Sequence, residues 1–79
     1  MEPSQIEELI AAHINCDYVK VESNDNRHYQ AVIVSKEFEG KIKISRHRLV
    51  YSALGDSMQN AIHAFSFQAY TPEEYDKIA

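Results

Sequence analysis

Ile62-His63-Ala64-Phe65-Ser66-Phe67-Gln68-Ala69-Tyr70 is the stretch on which the fold turns. Its side chains alternate with the two-residue period of a strand. Phe65, Phe67 and Ala69 share one face, and His63 falls in line with them. The strand follows a helical stretch, so it must return to a sheet begun earlier. His63 then brings a titratable imidazole, a good ligand for iron or zinc, to the start of the core face. A lone histidine at the end of an apolar strand is more often a satisfied, half-buried structural residue.

The earlier strands lie between Cys16 and Lys36. From Cys16 to Glu22, Asp17, Val19 and Val21 fall on one side, and Tyr18, Lys20 and Glu22 on the other. Ser23-Asn24-Asp25-Asn26-Arg27 is a loop of turn formers. His28 through Lys36 is predicted as the second strand, its run Ala31-Val32-Ile33-Val34 suiting a well-covered position. The two strands read as a hairpin, with His28 where the loop ends.

Helices flank these strands. Ser4-Gln5-Ile6-Glu7 fits a capping box, and Ile6, Leu9, Ile10 and Ile14 form a stripe at helical spacing. His13 lies next to that stripe and reads as a boundary residue. After Phe38-Glu39-Gly40 and Lys41-Ile42-Lys43-Ile44, Ser45 is expected to cap a second helix. Leu49, Val50, Ala53 and Leu54 form its buried face and Gly55 its stop. Asp56 suits the cap of a further short turn through Met58 and Asn60. Thr71-Pro72-Glu73-Glu74 starts a terminal helix ending near Ile78. The order α-β-β-α-(α)-β predicts an α+β sandwich: a three-stranded sheet with helices on one face and a short C-terminal helix, one domain over residues 1–79.

The chain has 79 residues, enough for a modest core but not for a deep catalytic cavity. No nucleophile, base and orienting group stand at readable spacing, so an enzyme is not expected. Cys16 is the single cysteine, which excludes an internal disulfide framework and a cysteine-rich metal site. Neither a secretory signal nor a membrane span is readable, and the cytoplasm is the expected compartment. Net charge is −4, yet four of the eight Lys and Arg fall between Lys41 and Arg48, leaving −8 elsewhere. Lys41, Lys43, Arg46, His47 and Arg48 thus form one basic patch on an acidic body. Arg46, His47 and Arg48 are expected in the first turn of the second helix, where the dipole disfavours cations. Such a patch suits an anion such as a phosphate backbone or an acidic partner, or is a solvated helix end. A Gly-x-x-Gly clamp and interleaved aromatics are both missing, which speaks against sequence-specific nucleic-acid recognition.

His28 and His63 gain meaning as a pair if the second and third strands begin at neighbouring ends of the sheet. Two imidazoles are half of a four-ligand site, so a partner would have to supply the rest. Cys16 is the rival ligand, although a free cysteine is more often a buried apolar side chain.

Phe38-Glu39-Gly40-Lys41, Arg46-His47-Arg48, Val50-Tyr51, Leu54, Ile62-His63-Ala64 and Tyr70-Thr71-Pro72-Glu73-Glu74 stand in an order and spacing that resembles the BolA family over nearly the whole chain. The compact length and short hairpin loop resemble its bacterial IbaG-type branch. The resemblance implies a class II KH-like fold without the Gly-x-x-Gly clamp. It implies partnership with a monothiol glutaredoxin and glutathione around a shared 2Fe–2S cluster, with His63 and His28 as this chain's ligands. It also implies DNA binding and transcription regulation through Lys41, Lys43, Arg46, His47 and Arg48. Alone, the chain is expected to be a monomer or weak homodimer.

Overall fold

A computed structural model describes residues 2–55 and 64–79. Its elements are α1 (Pro3–His13), β1 (Cys16–Glu22), β2 (His28–Ser35), a 3-10 turn (Lys36–Phe38), α2 (Lys43–Leu54), β3 (Ala64–Tyr70) and α3 (Pro72–Ile78). The sheet order is β1-β2-β3. β1 and β2 form the expected antiparallel hairpin, and β3 returns parallel to β2. The central place of β2 explains its apolar run, since a strand paired on both edges and covered by helices has little contact with water.

Strand alternation sorts the sheet into two faces. Val21, Ala31 and Phe67 form one row across the sheet, and Val19, Ile33 and Ala69 the next. These rows meet Ile6, Ile10 and Ile14 of α1 and Val50, Ala53 and Leu54 of α2 in a single core with Phe38. The stripes read from the sequence are therefore the buried faces. The second face carries Lys20, Val32 and Gln68 in one row and Tyr18, Val34 and Tyr70 in another. Val34 is only 2% exposed although it points away from α1 and α2. α3 accounts for this: Tyr75 stacks on Tyr18 at 5.6 Å and lies 5.9 Å from Tyr70, roofing that end of the second face.

Both first helices start earlier than the sequence predicts. Pro3, with φ preset for a helix, opens α1, and Gln5 rather than Glu7 accepts the free Glu2 N–H at 2.7 Å. Glu7 is thereby released to accept the Val21 N–H at 2.8 Å on the outer edge of β1. α2 begins at Lys43 with Ile42 as its cap, so Ser45 lies inside the helix and caps nothing. Arg46, His47 and Arg48 consequently occupy its second turn. β2 ends at Ser35, and Lys36 opens the 3-10 turn, because the buried Ser35 hydroxyl donates to the Asn15 carbonyl and accepts the Glu37 N–H. Gly55 ends α2 with φ 56°, a conformation that favours glycine. Thr71 caps α3 as expected, and Glu74 completes a capping box with it. The turn proposed through Asp56, Met58 and Asn60 lies outside the described residues.

Candidate functional site

The hairpin loop builds its own scaffold. Ser23 Oγ accepts the Asn26 N–H at 2.9 Å, and Asn26 takes a left-handed φ of 57°. One carboxylate oxygen of Asp25 accepts the N–H groups of Arg27 at 3.0 Å and His28 at 2.9 Å. Its other oxygen meets the His28 Nδ1 at 2.9 Å. Bonds from the His28 backbone, the His28 ring and the Arg27 backbone hold the Asp25 carboxyl well below the usual carboxylate range. Beneath the loop, buried Tyr29 donates its hydroxyl to the Asn26 carbonyl at 2.7 Å.

This geometry fixes one nitrogen of His28 and leaves the other without a hydrogen bond among the described residues. The side chain keeps 71% of its accessibility, so the ring stands in solvent. With the Asp25 carboxylate accepting from Nδ1, the ring's lone pair falls on Nε2. Histidines that ligate metals are commonly held in this way. Sequence reading named His28 and missed Asp25, although the Asp-x-x-His spacing across a turn was visible.

Parallel pairing sets His28 opposite Ala64, the residue after His63, with Cα atoms about 4.8 Å apart across the ladder. The starts of β2 and β3 therefore meet at one end of the sheet, the condition on which the histidine pair depends. His63 itself lies outside the described residues. Among the described residues, no three His, Cys, Asp or Glu side chains form a metal-binding group.

The other candidates are placed elsewhere. Cys16 pairs with Ser35, seven residues along β2 from His28, or roughly 23 Å at the rise of a strand. Burial, then Glu37 and Asp17, pushes the Cys16 thiol up, away from the thiolate a metal requires. His13 turns its Nδ1 to the Leu9 carbonyl at 3.0 Å at the exposed end of α1.

The basic patch divides by environment. Lys41, Lys43 and Arg48 are exposed. His47 is half-buried, its ring 4.4 Å from Phe67. Arg46 is built into the fold, with its side chain 15% exposed. It donates to the Lys41 carbonyl at 2.9 Å, to the Ala69 carbonyl at 3.0 Å, and to both Glu74 oxygens at 2.7 and 3.2 Å. Those bonds, led by the Arg46 side chain, hold the Glu74 carboxyl down at about 2. Sequence reading counted Arg46 among the free cations; its charge is matched within the fold, and Glu74 is the residue that reading overlooked.

Comparison with known proteins agrees with this architecture. A family model described as BolA-like protein matches residues 5–74. The chain is 38% identical over 69 residues to the chloroplastic BOLA1 protein of Arabidopsis thaliana, covering 87% of this chain and 43% of that one. It is 34% identical over 62 residues to the DNA-binding transcriptional regulator BolA of Vibrio cholerae, covering 78% of this chain and 58% of the other. It therefore spans only about half the length of these curated relatives. The crystal structure of a Bol-like protein from Babesia bovis superposes with a TM-score of 0.85 at 33% identity, over 99% of this chain and 93% of that one. With the family model matching nearly end to end, the chain belongs to the BolA-like protein family.

Proposed function

We propose that this chain is a non-enzymatic adaptor that joins a monothiol glutaredoxin and glutathione in holding a shared 2Fe–2S cluster, for cluster assembly, trafficking or iron sensing. His28 and His63 are this chain's ligands in that reading, and the two thiol-bearing molecules complete the set. The observation that carries it is the exposed His28 ring, tied through Nδ1 to Asp25 at 2.9 Å and paired across the sheet with the residue after His63. A bound cluster supplies a one-electron centre, and imidazole in place of thiolate raises its potential. Asp25 orients the His28 ring. The cytoplasm is the proposed compartment; no described helix is long and apolar enough to cross a membrane.

The test is reconstitution of the purified chain with a monothiol glutaredoxin, glutathione, iron and sulfide, followed by visible absorption and circular dichroism. His63→Ala and His28→Ala should each change the spectrum and lower cluster retention, and Cys16→Ser should leave both as they were. A double histidine variant that holds the cluster as the native chain does would overturn the reading.

A second reading is a DNA-binding regulator, supported by exposed Lys41, Lys43 and Arg48 near the start of α2 and by the name of the Vibrio cholerae relative. With Arg46 matched inside the fold, few cations remain to displace counterions. The slope of log affinity against log salt should be no steeper than about −3. Binding that survives replacement of Lys41, Lys43 and Arg48 by Ala would remove this reading.

A further inference from the structure

A groove of about 680 Å³ runs along the edge of β3 that pairs with no other described strand, at the end of the sheet away from His28. Its floor includes Phe67, Gln68, Ala69 and Tyr70, four consecutive residues whose side chains alternate between the two faces. A cleft lined by an unbroken run of strand residues opens onto the edge of that strand rather than onto either face. α2 forms one wall and α3 the other.

Backbone polarity along this edge is readable from Arg46. Its guanidinium reaches the Ala69 carbonyl from outside the sheet, so that carbonyl points away from β2. In a parallel ladder both polar groups of one residue point to the same side, and alternate residues share that side. The N–H and C=O of Phe67 therefore also point outward, to the side of β3 on which no other described strand pairs. Exposed Ile42 and Ile78 flank the groove at 69% and 62% exposure. Lys41, Lys43 and Lys77 rim it, while Glu74, its one acidic lining residue, is already bound to Arg46. A strand edge with open hydrogen-bonding groups, apolar flanks and a cationic rim is complementary to an extended peptide bearing both apolar and acidic side chains.

We propose that the β3 edge, between the start of α2 and α3, docks an extended acidic, apolar segment of a partner protein by strand addition at Phe67. Arg46 sets the limit of the added strand, because it already occupies the next outward carbonyl, that of Ala69. The site is independent of the cluster reading: the Phe67 row lies three residues along the sheet from the His28–Ala64 row, roughly 10 Å away.

The experiment titrates the intact chain into a short fluorescein-labelled peptide that alternates aspartate and valine. The control is the same peptide N-methylated at alternate amides, which keeps its charge and side chains but cannot extend a sheet. Anisotropy gives the affinity, and amide chemical shifts locate the contact. The labelled peptide should bind, with shifts concentrated at Phe67, Lys43 and Lys77, and the N-methylated form should not. Reversing two exposed rim charges, Lys43→Glu with Lys77→Glu, should weaken binding about tenfold. His28→Ala should leave it unchanged, which separates failure here from failure of the cluster reading. Equal binding of the N-methylated peptide, shifts centred on the hairpin loop, or no binding up to on the order of 1 mM protein would each overturn the proposal. So would duplex DNA shifting the same lysines while the peptide does nothing, which would give the face to nucleic acid. Self-association that occludes the peptide in sedimentation runs would give it to a second copy.

Discussion

Arg46 and His28 each have a carboxylate partner, yet the fold uses them in opposite ways. Arg46 is 15% exposed and joins three segments: the turn before α2, the outer edge of β3, and α3. Its five donors suit several fixed acceptors at once. His28 is 71% exposed and joined to Asp25 within its own loop. Asp25 there fixes only one face of a ring whose other nitrogen stays open. The comparison teaches that a charge contact alone does not separate structural from functional groups. What separates them is whether the contacts exhaust the group's bonding capacity.

The largest effect should come from removing the platform under Arg46. Phe38 is fully buried, with the guanidinium 6.0 Å from its ring centre. Phe38→Ala should cost about 3–5 kcal/mol in urea unfolding. Next, Arg46→Met should lose about 2 kcal/mol, since it leaves the Ala69 and Lys41 carbonyls without their charged donor. His28→Ala, at an exposed site, should stay within about 0.5 kcal/mol by the same measurement. Equal losses for Arg46→Met and His28→Ala would break the contrast.

Asp25→Asn sharpens the contrast from the other side. An amide oxygen still accepts from the Arg27 and His28 backbone, but the anionic partner of the ring is gone. In the proposed cluster complex, retention should fall about 10- to 100-fold while the unfolding midpoint changes little. A large fall in stability with unchanged cluster retention would make Asp25 a loop residue alone.

The smallest effect is a pH dependence. Glu74 is lowered from its ordinary 4.5 to about 2 by Arg46, so its charged form is favoured in the folded state. Its contribution is complete above about pH 4.5 and is lost as pH falls toward about 2. Glu74→Gln should flatten the acid limb of the stability curve within that window and change little near neutrality beyond a constant offset. An unchanged limb would show that the pairing is weak in solution.

Much of the frame was legible because period and punctuation are local. Tyr18–Glu22 alternates as read, although the register shifts between Cys16 and Tyr18 and breaks the pattern at Asp17, and Thr71 caps α3 as read. Gly55 ends α2 where only a left-handed residue fits. Both early helix starts were misread for one reason: local rules rank Ser above Glu or Ile as a cap, while the fold assigned the acceptors otherwise. Pro3 advanced α1, and Glu7 went to the β1 edge instead of a cap. No window of neighbouring residues contains Val21 together with Glu7.

By itself the sequence determined which residues alternate, which recur at helical spacing, and that His28 stands at the start of a strand. Those properties reside in covalent order, because side-chain direction follows from backbone period. Only the tertiary structure decided that β3 runs parallel beside β2 so that His28 meets Ala64, that Arg46 is spent on Ala69 and Glu74, and that Tyr75 roofs Val34. Each of these joins residues far apart in the chain, and such pairings are selected by the burial and hydrogen bonding of the whole assembly rather than by any stretch within it.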